Sequence, residues 1–170
     1  MKVDAKYSAS DSCSTILAES GGAGWGEQVF LTDEDVNAAE TNFYLYAVYE
    51  FSTAAEATAF VKGQAAAYAR CESFGLAGPG GVVPVSMGVA PASKVPAAST
   101  VVDLRESLTA QGGTSVGEFV VAADGNVAVL VGRASFVDRV SIQVDVAQVA
   151  ESLLEAFAAG EAAHPAGGVS

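Results

Sequence analysis

Few side chains in this sequence could carry out acid–base or nucleophilic chemistry together. A catalytic triad needs a nucleophile, a base and an orienting acid, yet the one histidine, His164, lies in a Pro- and Gly-containing C-terminal stretch, and no Gly-x-Ser-x-Gly sequence occurs. Asp103 and Glu106 could act as acid and base, but strand alternation puts them on opposite faces. Asp103 and Arg105 share a face, where a surface ion pair is the simplest interpretation. The residues therefore predict no catalytic centre.

The residues that could bind a metal ion or a phosphate group do not have the spacing of a known binding motif. Cys13 and Cys71 lack the spacing of a metal site, and a single histidine adds little to them. The acidic segment 32–40 lacks the ligand spacing and central glycine of an EF-hand loop. The Gly-rich stretches 21–26 and 78–81 lack the Lys-Ser/Thr ending of a phosphate-binding loop. We therefore predict no metal and no cofactor.

The two cysteines allow two interpretations. They could be unrelated buried thiols, or they could form a disulfide that ties an N-terminal helix to a long central helix, and we favour the disulfide. A disulfide closing a loop of this length would stabilise the fold by about 4 kcal/mol on the chain-entropy model, and it would indicate an oxidising compartment. Residues 1–4 lead into polar sequence without the apolar core of a signal peptide. The chain is therefore either cytosolic or a trimmed part of an exported protein.

The net charge and the distribution of apolar residues limit the kinds of partner that this chain can bind. The formal net charge of −12 repels nucleic acid and anionic lipid surfaces, so a cationic or neutral partner is easier to accommodate. No apolar run approaches the roughly 20 residues that a membrane helix needs, so we predict no direct membrane insertion. A chain of 170 residues fits one domain. We assign the domain to residues 1–160 and expect a disordered tail at 161–170.

One long helix, predicted over residues 52–75, organises the fold. Thr53 and Glu56 have the spacing of a capping box, and Gly75 suits the end of a helix. Residues at three- and four-residue spacing form the stripe that should face the core. They are Ala57, Phe60, Val61, Gln64, Tyr68 and Cys71.

The strand at 42–51 is the strongest in the sequence, because apolar residues line both of its faces. The face carrying Ala47, Tyr49 and Phe51 should pack on the long helix. The opposite face, with Tyr44 and Tyr46, must meet a second core layer or line a cavity.

Weaker signals complete the predicted fold. We expect a short helix at 10–20, a short strand at 25–31, an edge strand at 82–89, a strand at 100–108, and a hairpin that pairs 117–123 with 126–133 through Asp124-Gly125. Asp145 should cap a last helix that Gly160 ends. This order predicts an α+β fold: a single antiparallel β-sheet with two long helices and the short N-terminal helix packed mainly on one face.

The segments 51–74 and 124–133, with the closing helix, resemble the PknH-like extracellular sensor domain of actinobacterial Ser/Thr kinases and related lipoproteins. Tyr68 stands where that family usually has Trp, and Cys71 matches its helix cysteine. The family's Gly-Asn-Val-rich strand is matched by Gly125, Asn126, Val127, Val129 and Val131. The family tends to have two disulfides, whereas this chain can form one. The resemblance implies an extracytoplasmic domain with a ligand cleft, no cofactor and no known enzymatic residues.

Three functions stay open, and the least specific of them is a protein-interaction module. The first is an extracytoplasmic sensor or lipoprotein-type domain that binds an apolar or neutral small molecule on the sheet face away from the long helix. The alternative is a small cytoplasmic, cofactor-free cyclase of secondary metabolism that shapes an apolar substrate in a cavity on the same scaffold. The oligomeric state is not indicated. The candidate ligand-binding residues are Tyr44 and Tyr46 as walls, Trp25 and Phe136 as lids, and Arg133, for which a solvated charge is the simpler interpretation.

Overall fold

A computed structural model describes residues 28–33, 42–78, 81–110, 113–135 and 145–163. These residues form seven strands and two helices. In chain order they are β1 (Gln28–Asp33), β2 (Asn42–Glu50), α1 (Ala54–Arg70), β3 (Ser73–Gly78), β4 (Gly81–Ala90), β5 (Thr100–Ala110), β6 (Gly113–Asp124), β7 (Val127–Ser135) and α2 (Val146–Ala163). The predicted N-terminal helix at 10–20 lies outside the described residues.

All seven strands join one antiparallel sheet in the order β1-β2-β7-β6-β5-β4-β3. Helix α1 carries the chain from β2 to the far edge, where β3 begins, and the next four strands return one by one until β7 pairs with β2. Strand β3 was not predicted from the sequence, and β4 was predicted as an edge strand although it pairs on both sides. The single antiparallel sheet of an α+β fold is confirmed.

The two helices cover opposite faces of this sheet, which corrects the prediction that they share one face. Helix α1 packs on a core that includes Tyr49, Phe51 and Leu104. Helix α2 buries Ala150 and Leu154 against the other face. Both faces need a cover because the β6–β7 hairpin is apolar on each side. Alternate residues of β6 belong to the two cores: Val121 and Ala123 face α1, and Val120 and Ala122 face α2.

The start of α1 matches the sequence prediction, whereas its end does not. Thr53 Oγ1 accepts a hydrogen bond from the Glu56 backbone N–H, and Glu56 Oε2 accepts one from the Thr53 N–H, each at 3.2 Å. The helix ends at Arg70 rather than at Gly75: the Cys71 N–H still bonds to helix carbonyls, but the backbone of Cys71, with φ of −111° and ψ of 42°, is no longer helical. The Glu72 carbonyl then accepts from the Met87 N–H of β4, which directs the chain into β3.

The turn between β6 and β7 is the predicted hairpin, shifted by one residue. Asp124 pairs with Val127, so the loop residues are Gly125 and Asn126. Gly125 has φ of 53°, the left-handed conformation that such a tight turn requires. At the other end of the chain, α2 continues through Ala163, past Gly160, where the helix was predicted to end, and into the predicted tail at 161–170.

Candidate functional site

A cleft of about 450 Å³ lies on the α2 face of the sheet, beside the first turn of α2. This is the face away from α1, on which the sequence analysis placed the pocket. The polar side chains that line the cleft are Ser93, Asp103, Arg105, Glu118, Arg133 and Asp145. The apolar lining residues are Ala90, Leu104, Phe119, Val120 and Val146.

Three neighbouring strands place the charged residues side by side. Arg105 of β5 pairs in register with Glu118 of β6, and Glu118 pairs with Arg133 of β7. Directly opposed residues of antiparallel strands project to the same side of the sheet. The register therefore sets a row in which an acid lies between two arginines.

Glu118 binds the two arginines unequally. Arg133 Nε donates to Glu118 Oε2 at 3.0 Å, and Arg133 Nη2 contacts the same oxygen. Arg105 Nη2 lies 3.7 Å from Glu118 Oε1, and the Arg105 side chain is 66% exposed against 24% for Arg133. Arg133 is thus held firmly in the cleft wall. The pair with Arg105 is loose and open to solvent, and such pairs contribute little to stability.

Asp103 lies next to this row on β5, in register with Val120 of β6 and Ala90 of β4. Its Oδ2 accepts a hydrogen bond from the hydroxyl of Ser93, in the connection between β4 and β5. Its Oδ1 is buried and has no hydrogen-bond partner among the described residues. A buried acceptor without a donor costs free energy, which most folded structures avoid. Asp103 therefore has unused capacity to bind a donor.

Asp145 closes the cleft at the start of α2, as an N-cap. Its Oδ1 accepts from the backbone N–H groups of Ala147 at 3.0 Å and Gln148 at 3.2 Å. This satisfies donors that a helix otherwise leaves without partners. The predicted capping role of Asp145 is confirmed, and the cap also places a carboxylate at the cleft.

The predicted site residues have different positions. Arg133 lines the cleft and is bound to Glu118 rather than solvated. Tyr46 is half-buried and packs against the α2-face core, which matches the second-layer interpretation. The backbone of Tyr44 is opposite Arg133 in the β2–β7 register. The side chain of Tyr44 is not part of the described structure. Trp25 and Phe136 lie outside the described residues.

Ser93, Glu118 and Asp145 were not predicted as cleft residues, and Asp103 and Arg105 were interpreted as a surface ion pair. The shared face of Asp103 and Arg105 was the available signal, since strand alternation gives it directly. The salt bridges of Glu118 depend on the β5–β6 and β6–β7 registers, which the alternation within one strand does not specify.

Cys71 is 1% exposed and packs in the α1-face core. It is not a free thiol. The other cysteine of the sequence, Cys13, lies outside the described residues, so its bond to Cys71 stays a prediction.

Two titratable groups are buried on the α1 face, away from the cleft. Burial raises the pKa of Glu106 above the usual value for a glutamate. Burial, and to a smaller extent the charge of Glu106, raise the pKa of Tyr68. Both groups favour their neutral forms and line no part of the cleft.

The described ranges contain no cluster of three His, Cys, Asp or Glu side chains that could hold a metal ion. Neither described helix is long and apolar enough to cross a membrane.

The fold is similar to that of a bacterial extracellular domain. The crystal structure of the extracellular domain of PknH from Mycobacterium tuberculosis superposes with a TM-score of 0.52 at 13% identity, covering 86% of this chain and 91% of that one. An uncharacterised protein of Mycobacterium smegmatis, the Rv0999 ortholog, matches at a TM-score of 0.45 and 17% identity, covering 94% and 78%. The sequence matches no family model and no curated protein. The chain therefore has the fold of the PknH extracellular domain, and the sequence resemblance is supported at the level of the fold.

Proposed function

We propose that this chain is an extracytoplasmic sensor-type domain that binds a small polar molecule in the α2-face cleft. The observation that carries the proposal is the cleft itself, which brings charged side chains from β5, β6 and β7 together beside the start of α2. Its volume of about 450 Å³ is in the range of small-molecule sites.

Rigid support for the polar groups favours binding. Arg133, Glu118 and Asp103 project from inner strands of the sheet, and Asp145 is fixed by its capping bonds. Side chains already ordered by their own hydrogen bonds lose little entropy when a ligand binds. These groups are therefore preorganised for a ligand.

The residues that line the cleft favour a polar ligand rather than the apolar ligand predicted from the sequence. The apolar cleft was predicted from Tyr44 and Tyr46, but the half-buried Tyr46 packs against the α2-face core, and the cleft lining has charged side chains. Burying an apolar ligand against charged groups would remove water from them without replacing its hydrogen bonds. A polar ligand fits the lining better. The cyclase alternative, which needs an apolar cavity, is favoured by no feature of this cleft.

Two observations support an extracytoplasmic location. The fold is similar to that of an extracellular domain, and Cys71 is not a free thiol, which is usual for proteins of oxidising compartments.

A cleft-filling variant tests the proposal. Ala90 lines the cleft, whereas its neighbour Val89 is 49% exposed and lies outside the lining. We would measure the thermal unfolding of the wild type, Ala90→Phe and Val89→Phe with a panel of amines, amino acids, organic acids, sugars and nucleosides. A ligand of the native state raises Tm by mass action. We expect at least one compound to raise Tm of the wild type and Val89→Phe but not of Ala90→Phe. A panel without effect, or an effect that Ala90→Phe retains, would contradict cleft binding.

A further inference from the structure

We infer that the ligand of this cleft carries an ammonium group and that Asp103 accepts it. The inference rests on the proposed function and adds the chemical class of the ligand. It depends on the partners of each charged group in the lining, on the position of Asp103 Oδ1 and on the charge of the whole chain.

The charges of the cleft do not balance. Three acids and two arginines line it, which leaves one excess negative charge. Glu118 is bound by Arg133 and loosely by Arg105, and Asp145 is engaged as the cap of α2. Neither Asp103 nor Asp145 has a cationic partner among the described residues, and of the two only Asp103 has a buried oxygen without a hydrogen bond. The chain as a whole has a net charge of −12, so the field around the cleft also attracts cations.

The hydrogen bonds that Asp103 makes leave one of its oxygens without a donor. An ionised carboxylate accepts hydrogen bonds and donates none. Ser93 already donates to Oδ2, whereas Oδ1 is buried without a donor. An ammonium group supplies three donors and a positive charge, and charge-assisted hydrogen bonds are stronger than neutral ones. An alkylammonium group in the cleft would therefore match the charge of Asp103, and it would satisfy Oδ1, which is buried in this structure, once the carboxylate turns toward it.

An organic cation fits better than a metal ion. Calcium takes six to eight oxygen ligands and magnesium an octahedral set, and the described part of the chain holds no group of three His, Cys, Asp or Glu residues suited to a metal. Arg105 and Arg133 would repel a divalent ion more strongly than a monovalent one. A single carboxylate beside a small apolar surface, here Ala90 and Val120, suits an ammonium group on a carbon chain.

Matched probes test the ligand class. Butylammonium, butyrate and butanol have similar size and shape, and they carry a positive charge, a negative charge and no charge, respectively. We would titrate each into the uniformly ¹⁵N-labelled full chain and follow the backbone amide signals. We expect butylammonium to shift the signals of Ala90, Asp103 and Val120 in a saturable way, and the other two probes to leave them unchanged.

Two variants assign the effect to Asp103. Asp103→Asn keeps the shape but removes the charge, and we expect butylammonium affinity to fall about 10-fold or more, as for the loss of a charged hydrogen bond. Glu155→Gln removes one negative charge from an exposed position of α2 and should keep the wild-type affinity. The probe comparison uses the wild type, so it decides the inference even if Asp103→Asn does not fold.

The outcomes separate the inference from the proposed function. Saturable cleft shifts with butyrate or butanol but not with butylammonium would overturn the ammonium assignment and leave cleft binding standing. The same holds if the panel identifies a cleft ligand without an amine. If no probe and no panel compound affects the cleft, the proposed function fails together with the inference. Equal butylammonium affinity of the wild type and Asp103→Asn would overturn the role of Asp103.

Discussion

Glu106 shows how one buried side chain can make stability depend on pH. Burial raises its pKa in the folded state. Between the ordinary glutamate pKa and this raised value, the folded chain therefore holds a proton that the unfolded chain has lost. Stability decreases with pH wherever the folded state binds more protons, so the contribution of Glu106 falls as pH rises through that window. It is fully favourable only below the ordinary pKa.

Replacing Glu106 with Gln should remove this dependence. The amide is neutral at every pH, so we expect the free energy of unfolding of Glu106→Gln to decline less than that of the wild type as pH rises from the ordinary glutamate pKa. Urea unfolding at a series of pH values measures both slopes. Glu155→Gln, which changes an exposed glutamate, serves as the control and should keep the wild-type slope. Equal slopes for Glu106→Gln and the wild type would contradict the assignment.

Gly132 is a second position at which a single added atom, the Cβ of alanine, should change stability. The ring of Phe119 covers it, and a Cβ at Gly132 would overlap the ring atoms. We expect Gly132→Ala to lower the free energy of unfolding by about 1–3 kcal/mol, the usual range for overpacking. Gly88 of β4 has no neighbouring atom within 4 Å of such a Cβ, so Gly88→Ala should have a much smaller effect in the same urea measurement.

A double variant separates overlap from other causes. If the clash is with Phe119, a smaller side chain there should relieve it, and Gly132→Ala should cost less in a Phe119→Leu background than in the wild type. An additive double variant would show that Phe119 is not the source of the loss.

At the scale of elements, sequence periodicity correctly predicted the cap of a helix and the two faces of a strand. It did not predict the pairing of strands that are far apart in sequence. The cap of α1 and the faces of β2 follow from local spacing, and both are confirmed. Strand β3 was missed because its residues, SFGLAG, have little strand propensity. Pairing with β4 forms it instead. The charged lining of the cleft was not predicted because it depends on the strand registers that bring Glu118 to both arginines.

The packing of α2 against the sheet can be tested with one buried and one exposed residue. Leu154 is 4% exposed in the α2-face core, whereas Phe157 of the same helix is 42% exposed. Truncating a buried leucine removes transfer free energy and leaves a cavity, at about 2–5 kcal/mol. We therefore expect Leu154→Ala to destabilise the chain by that amount in urea unfolding and Phe157→Ala to have a smaller effect. Similar small losses for both would show that α2 does not cover a core.

At the scale of the whole molecule, the state of the cysteines links the fold to its compartment. Cys71 is buried at the C-terminal end of α1 and is not a free thiol, and the sequence contains one other cysteine, Cys13. We propose that these two residues form a disulfide. Joining residues so far apart in sequence restricts the unfolded chain and should stabilise the fold by about 4 kcal/mol on the chain-entropy model.

Intact mass tests this bond directly. The chain is denatured with a thiol-blocking reagent, and its mass is measured before and after reduction. We expect no adduct before reduction and two afterwards, together with a lower urea midpoint for the reduced chain. Cys71→Ser should remove the effect of reductant on that midpoint, and a Ser73→Ala variant, which alters an exposed side chain nearby, should keep it. Two adducts without reduction would contradict the disulfide and, because free thiols are typical of reducing compartments, would also weigh against an extracytoplasmic location.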